Sequence, residues 1–139
     1  SSKLQQVRLV STLEKALRIY TPSLSEKVLA DFLADRCDDL GFRDIHQDEV
    51  GNLIATKGSG EPKIMLCGHM DVVPGKIKVR IEGDMLHGRG ASDAKAPLIA
   101  MLFAAASIGE NEGTVTFVGA VDEEGNATGI KNLVKIYLM

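Results

Sequence analysis

The apolar residues near the start of the chain recur at helical intervals. Leu9, Leu13 and Leu17 are spaced four apart, so they fall on one side of a helix predicted over residues 4–20. Pro22 is expected to end this helix. The opening segment therefore predicts an amphipathic helix with one buried side.

A second helix is predicted directly after Pro22. Ser23 and Glu26 have the spacing of a capping box, in which the two side chains satisfy free backbone groups at a helix start. Gly41 follows the last apolar position and is expected to stop the helix. The positions predicted to be buried on this helix are Leu24, Val28, Phe32 and Leu33.

The pattern changes to short apolar runs after position 42. The alternating run 43–47 predicts an edge strand, and the continuous run 64–67 is typical of a strand buried on both faces. Further predicted strands cover residues 53–56 and 114–121, with a hairpin of 77–81 and 85–87. Helices are predicted over 94–108, where small residues would allow close packing on a sheet, and over 128–137.

Strands that alternate with helices indicate an α/β fold. We expect a three-layer αβα sandwich with a mixed, mostly parallel sheet. In such folds ligands bind outside the carboxyl ends of the strands. Polar residues that directly follow predicted strands are therefore the first candidates for a functional site.

Composition excludes several classes of protein. The chain has 139 residues, 45% hydrophobic and 25% charged residues and a net charge of −3, which is ordinary for a soluble globular domain. No basic block favours nucleic-acid binding, and the apolar run 96–106 is shorter than the roughly 20 residues that span a bilayer. Cys37 and Cys67 form no motif, so reduced thiols in a cytoplasmic protein are expected.

Candidate metal ligands follow the predicted strand 64–67. His69 and Asp71 are two residues apart on an extended segment and point the same way, so Asp71 could fix the orientation of a metal-binding imidazole. The alternative is a strand-end turn with a solvated aspartate and an incidental histidine.

Asp93 lies between a glycine-rich stretch and the start of the predicted helix 94–108. It could simply be the N-cap of that helix. It could also bridge two cations, which lie about 3.5–4 Å apart in such centres. Arg89 and Lys95 are expected to order the loop around it.

Two adjacent glutamates follow the predicted strand 114–121. The side chains of Glu123 and Glu124 diverge, so one could bind a metal while the other accepts a proton from water. The alternative is an exposed acidic turn. Taken alone, Asp93 and the glutamate pair favour their simpler interpretations, and the His69–Asp71 segment favours neither, but the order of all three segments indicates metal-assisted hydrolysis.

Three segments resemble the N-terminal signatures of the M20 metallopeptidase and deacylase family: GHMDVVPG, GRGASDAK and VDEEGNATG. The resemblance extends over the whole chain, including the IYTPS junction after the first helix. The compact spacing is most similar to the branch of carrier-protein lysine/ornithine hydrolases and acetylornithine deacetylases. Ala96 departs from the glycine usual at this position.

The resemblance implies a role for each candidate residue. His69 and Glu124 are implied as ligands of two different zinc ions, with Co²⁺ as an alternative metal, and Asp93 as the ligand that bridges them. Asp71 is implied as the carboxylate that orients His69, and Glu123 as the general base.

The resemblance also implies a cis peptide bond between Asp93 and Ala94. It further implies that residues 1–139 are the N-terminal part of a di-zinc hydrolase catalytic domain, without the dimerisation domain, the later acidic ligand and the distal histidine. The intact enzyme is expected to be a cytoplasmic homodimer. It would act in lysine or arginine biosynthesis on a small N-acyl amino acid or on an amino acid linked to a carrier protein, and the isolated piece is expected to be inactive.

Three other interpretations remain open from the sequence. The chain could belong to a co-catalytic zinc aminopeptidase or carboxypeptidase, which uses similar ligands. It could be a binding module that keeps the fold without catalysis. Strands from a partner chain could also complete its sheet.

Overall fold

The computed structural model describes residues 2–72, 80–82, 85–87, 95–109 and 111–137. The helices are α1 (Ser2–Arg18), α2 (Lys27–Asp39), α3 (Lys95–Ala106) and α4 (Thr128–Tyr137). The strands are β1 (Arg43–Gln47), β2 (Leu53–Ser59), β3 (Lys63–His69), β4 (Arg80–Glu82), β5 (Met85–His87) and β6 (Gly113–Ala120). No helix among these residues combines the length and apolar character needed to cross a lipid bilayer.

Four strands form the main sheet in the order β1-β2-β6-β3, and β4 pairs with β5 as the predicted hairpin. The sheet is mixed, as predicted, but among the described strands only β3 and β6 pair in parallel. The expectation of a mostly parallel sheet is wrong for this part of the chain. The short turn between β1 and β2 allows only an antiparallel pair, and β2 also runs antiparallel to its other neighbour, β6.

Helices cover both faces of the sheet, which confirms the three-layer αβα arrangement. One face packs against α1, α2 and α3, through a core that includes Leu33, Leu102 and Phe117. The other face packs against α4, where Leu133 contacts Ile54 and Val118. Burial of each such side chain contributes about 1.5–3 kcal/mol.

Helix α3 packs against β3 at Gly68. A Cβ atom at Gly68 would come within 2.6 Å of the Met101 Cε atom and 3.1 Å of the Leu98 Cδ1 atom. A larger residue at position 68 would force the ends of the Met101 and Leu98 side chains to move. This contact fixes the end of β3, where His69 lies.

Strand β3 is not buried on both faces, contrary to the sequence prediction. Ile64 and Met65 are 51% and 43% exposed, and Cys67 is exposed as well. Among the described strands β3 pairs only with β6 and forms an edge of the sheet. A continuous apolar run does not distinguish such an edge from a central strand.

The capping box predicted for α2 is not formed. The helix begins at Lys27, Glu26 occupies the N-cap position, and no side chain makes a capping hydrogen bond. Leu24 and Val28 are exposed, so the predicted stripe is wrong in its first half. The residues that are buried on α2 are Leu29, Ala30, Leu33 and Cys37. The stop at Gly41 is confirmed, with a φ of +86° directly after the C-cap residue.

Lys95 connects α3 to the end of α1. Its ammonium group is buried and donates hydrogen bonds to the backbone oxygens of Ala16 (3.1 Å) and Ile19 (2.5 Å). Burial lowers the pKa of Lys95 to about 8. The described contacts of Lys95 are thus with α1, while Arg89 and the loop that the two residues were expected to order lie outside the described residues.

Candidate active site

The site segments meet because β3 and β6 are parallel neighbours. His69 at the end of β3 lies opposite Ala120 at the end of β6. The carboxyl ends of parallel strands share one edge of a sheet, so the residues that follow each strand come together there. The prediction that the polar segments after these strands converge is therefore confirmed for His69, Asp71, Glu123 and Glu124.

Asp71 connects the two segments. Its side chain is fully buried. Its Oδ1 atom accepts a hydrogen bond from the Glu123 backbone N–H (3.0 Å), and its Oδ2 atom accepts one from the Glu124 N–H (2.8 Å). The Ser23 hydroxyl also donates to Oδ2 (2.6 Å). One carboxylate thus fixes the backbone of both glutamates.

The same carboxylate lies beside the imidazole of His69. The Nδ1 atom of His69 is 2.9 Å from the Asp71 backbone oxygen and 3.2 Å from its Oδ1 atom. Since both partners are acceptors, Nδ1 carries the proton and donates it. The lone pair then lies on the other nitrogen, Nε2, which is the nitrogen that binds the cation when a histidine donates its second ring N–H to a carboxylate or carbonyl.

Glu124 approaches the Nε2 side of this imidazole. Its Oε1 atom is 3.9 Å from the Nε2 atom of His69. Cys67 near the end of β3 has a raised thiol pKa, mainly because its sulfur is partly desolvated and further because of the negative charge of Glu123. Both glutamates therefore lie near the end of β3.

A buried aspartate shapes the turn that carries the two glutamates. The Asp122 side chain accepts hydrogen bonds from the Thr128 hydroxyl and the Asn126 N–H, and the Thr128 bond is the main cause of its lowered pKa. Asp122 has a left-handed backbone with a φ of +59°. The interpretation as a wholly exposed acidic turn is therefore wrong for Asp122, while Glu123 and Glu124 are exposed.

Glu26 supports the same turn from α2. Its Oε2 atom accepts a hydrogen bond of 2.6 Å from the Asp122 N–H, and its side chain is almost fully buried. Burial raises its pKa, helped by the nearby charges of Asp71 and Asp122. Sequence reasoning assigned Ser23 and Glu26 to a helix cap and so missed both contacts. No local signal could have revealed them, because their partners lie 48 and 96 positions away.

Asn52 holds the turn from the side of β2. Its Oδ1 atom accepts the Val121 N–H (2.9 Å), and its Nδ2 group donates to the Gly129 backbone oxygen (3.0 Å). Glycine is required at 129, since a Cβ atom there would lie 2.4 Å from Oδ1 of Asn52. This fully buried amide was also missed from the sequence.

Asp93 and the peptide bond between Asp93 and Ala94 lie outside the described residues. Their predicted roles stay predictions. Within the described ranges, no group of three or more histidine, cysteine, aspartate or glutamate side chains is arranged to hold a metal ion. His69 and Glu124 are the predicted ligands that the structure brings together.

The charge balance of the site fits a cation. Glu26, Asp71, Asp122, Glu123 and Glu124 all lie around the ends of β3 and β6. In the part of the chain that the structure describes, no lysine or arginine forms a salt bridge with Asp71, Glu123 or Glu124. Hard divalent cations prefer such carboxylate oxygens, and zinc also accepts the imidazole nitrogen.

Curated relatives match most of the chain. A Pyrococcus abyssi protein provisionally named LysW-lysine/LysW-ornithine hydrolase is 44% identical over 124 residues, which cover 89% of this chain and 36% of the relative. The LysW-lysine/LysW-ornithine hydrolase of Sulfurisphaera tokodaii is 37% identical over 135 residues, or 94% of this chain and 36% of the relative. The chain thus spans about a third of the length of these relatives.

Solved structures share the fold. Aminopeptidase PepT from Bacillus cereus superposes with a TM-score of 0.74 at 27% identity, covering 91% of this chain and 39% of that chain. The sequence profile of peptidase family M20/M25/M40 matches residues 65–139, which contain all of the predicted site residues. That match covers more than half of the chain, and the chain therefore belongs to peptidase family M20/M25/M40.

Proposed function

We propose that this chain is the N-terminal part of the catalytic domain of a metal-dependent amide hydrolase. The hydrolase releases lysine or ornithine from an amino-group carrier protein. The family membership supports hydrolysis, and the names of the Pyrococcus and Sulfurisphaera relatives support the substrate class. We further propose that the enzyme acts in lysine or arginine biosynthesis in the cytoplasm and works as a homodimer.

The observation that carries the proposal is the shared use of Asp71. This carboxylate orients the His69 ring and binds the backbone N–H groups of Glu123 and Glu124. Preorganisation of this kind is what catalysis requires, since groups held in place need no rearrangement during the reaction. An incidental surface cluster would not bury the connecting carboxylate.

His69 would bind one metal ion through Nε2, and Glu124 would bind a second, with Asp93 as the ligand between them. Two Zn²⁺ ions are proposed, with Co²⁺ as the alternative. When bound, the ions polarise the amide carbonyl and lower the pKa of the attacking water. A catalytic zinc has three protein ligands as a rule, so the complete enzyme must supply further ligands besides these residues.

Glu123 would act as the general base. It accepts a proton from the attacking water as the new C–O bond forms, and it gives that proton to the nitrogen as the C–N bond breaks. The products are a carboxylic acid and a free amine, so atoms and charges balance. Its exposed position and its fixed backbone N–H suit a group that must reach a substrate.

The likeness to an aminopeptidase favours a second candidate, hydrolysis of short peptides. PepT from Bacillus cereus is 27% identical to this chain over 91% of its length, so the two proteins share sequence as well as fold. Both candidates use the same groups on an amide bond. They differ only in the acyl group and the amine that the complete pocket accepts.

The test is made with the protein expressed from its complete open reading frame. The metal-free protein should bind about two equivalents of Zn²⁺ or Co²⁺, and His69→Ala should weaken this binding. Glu123→Gln should keep metal binding and lower kcat about 100- to 10,000-fold, the contribution typical of a general base. Glu49→Gln, which removes an exposed carboxylate in the turn between β1 and β2, is the matched control.

A substrate panel then separates the two candidates. Carrier-linked lysine, acetylornithine and a tripeptide are compared by kcat/KM. Preference for the tripeptide would replace the carrier-linked assignment by the peptidase one. Full activity of Glu123→Gln, or full metal binding by His69→Ala, would contradict the proposed mechanism itself. The isolated 139-residue chain is expected to show no turnover.

A further inference from the structure

The connection between α1 and α2 runs along the site. We call residues 21–26 the strap. The Thr21 hydroxyl donates to the Met70 backbone oxygen (2.7 Å), and the Val72 N–H donates to the Thr21 oxygen (2.8 Å). Pro22 forms a parallel bridge with Val72. The strap is thus bound to the segment that carries His69 and Asp71, through contacts that flank Asp71 on both sides.

Two side chains of the strap reach the two parts of the site. Ser23 donates its hydroxyl to the Oδ2 atom of Asp71 at 2.6 Å. Glu26 accepts the N–H of Asp122 at 2.6 Å. Asp71 accepts the next two backbone N–H groups, those of Glu123 and Glu124. Carboxylates therefore bind three consecutive N–H groups, those of residues 122–124.

These contacts do little for the helix that follows. Neither side chain caps α2, although both have residue types and spacing suited to capping. A buried carboxylate near two others costs stability rather than adding to it. Leu24, between them, adopts a left-handed backbone with a φ of +69° while 72% exposed. The backbone thus accepts strain in a turn that directs Ser23 and Glu26 to the site.

We propose that Ser23 and Glu26 are positioning residues: Ser23 fixes the Asp71 carboxylate, and Glu26 fixes the backbone of the turn that carries Glu123 and Glu124. This inference rests on the proposed function for its effect on catalysis. The N-terminal helices lie before residues 65–139, the region that matches the family profile. Through the strap, the segment between these helices contributes to the mechanism as well.

The first readout is independent of activity. Hydrogen exchange of the amides of Asp122, Glu123 and Glu124 is compared among variants of the 139-residue chain and of the complete protein. Glu26→Ala should speed exchange at Asp122, and Ser23→Ala should speed it at Glu124, each by at least about tenfold, which is the loss of roughly one hydrogen bond. Ser25→Ala, an exposed serine on the same strap, is the matched control.

The second readout is kinetic. In the complete protein, Ser23→Ala and Glu26→Ala should lower kcat or metal affinity about 10- to 100-fold, as loss of groups that orient metal ligands does. KM should change little. Glu26→Gln keeps an oxygen that can accept the Asp122 N–H, so it should restore both slow exchange and most of kcat. Such rescue would not occur if Glu26 acted through its charge.

The outcomes separate the two proposals. Unchanged exchange at residues 122–124 in both alanine variants would overturn the positioning role, whatever the activity. Fast exchange together with unchanged kcat and metal affinity would also overturn it, because the bonds would then serve the fold alone. If Glu123→Gln is fully active while exchange responds as expected, the proposed function fails and the strap contacts stand. If circular dichroism shows that Glu26→Ala does not fold, the amide exchange, kcat and metal affinity of Ser23→Ala decide whether the positioning role stands.

Discussion

Two aspartates organise two neighbouring regions of this molecule in different ways. Asp48 binds a local turn, where its Oδ1 atom accepts the backbone N–H groups of Val50, Gly51 and Asn52. Asp71 binds N–H groups more than fifty positions along the chain. Asp48 also accepts neutral amide side chains, whereas Asp71 lies among other carboxylates. The first arrangement stabilises the fold, and the second gathers negative charge.

Backbone strain follows the same division. The Asp48 turn has glycine at its left-handed position, Gly51, with a φ of +104°. Of the four left-handed residues other than glycine in the described part of the chain, Leu24, Asp122 and Ala127 lie around the site, and Asp44 lies in β1. Strained non-glycine residues concentrate at functional sites, because the surrounding structure must hold them there. The comparison therefore predicts that changes near Asp48 alter stability and changes near Asp71 alter activity.

The largest effect is expected for Asp48→Ala. Five hydrogen bonds to backbone and side-chain amides would be lost, so the free energy of unfolding should fall by about 3 kcal/mol. Urea unfolding followed by circular dichroism measures this change. Activity per folded molecule should fall much less than in Asp71→Asn, because Asp48 reaches the site turn only through Asn52, and Glu49→Ala, at the exposed neighbour, should alter stability little. A parallel loss of activity would remove the contrast between the two regions.

Asp71→Asn should have the opposite profile. The amide group can accept at one oxygen only, so it cannot serve the His69 ring, Ser23 and both glutamate N–H groups together. In the complete protein kcat/KM should fall about 10- to 100-fold. The change should appear in metal affinity measured by calorimetry as well as in turnover. Wild-type metal affinity and turnover would show that Asp71 is as purely structural as Asp48.

The same contrast explains what the sequence could predict. Strand β1, helix α4 and the stop at Gly41 were predicted correctly, because each depends on periodicity or on a turn residue within a few positions. The convergence of His69 with Glu123 and Glu124 could also be predicted, since residues after parallel strands share one edge of a sheet.

The errors arose where a distant partner decides the structure. The S-x-x-E pattern of Ser23 and Glu26 is a valid cap signal, but Asp71 and the Asp122 N–H compete for those side chains. Because the helix then begins three residues later, the buried stripe shifts, and the predicted burial of Leu24 and Val28 fails. Similarly, the apolar run of β3 does not reveal how many neighbours the strand has.

A smaller effect is expected from the charge of Glu26. It separates the contribution of Glu26 to the free energy of unfolding from its role in positioning the site turn. Burial raises its pKa above the ordinary value of 4.5, so the folded state binds more protons than the unfolded state in the interval between the two values. Stability should therefore fall as the pH rises through that interval and stay lower above it. Glu26→Gln should remove this dependence and raise stability at pH 7 by about 1 kcal/mol.

Urea unfolding at several pH values from 4 to 8 measures the effect. Glu49→Gln serves as the control for the loss of one exposed carboxylate. An identical pH dependence in wild type and Glu26→Gln would show that Glu26 is not the group responsible. A stabilised Glu26→Gln that keeps most of its activity would show that the site needs the acceptor oxygen and not the charge.

The smallest effect is expected from exchanging the left-handed residues. Ala127 has a φ of +55°, so Ala127→Gly relieves a cost of roughly 1–2 kcal/mol but adds backbone freedom to the unfolded chain worth about 0.5–1 kcal/mol. The net change should be a stabilisation of a few tenths of a kcal/mol. Gly51→Ala should instead destabilise by about 1 kcal/mol or more, because φ at that position is +104°. Equal destabilisation by both exchanges would mean that Ala127 is not strained, and strain would then no longer distinguish the site from the Asp48 turn.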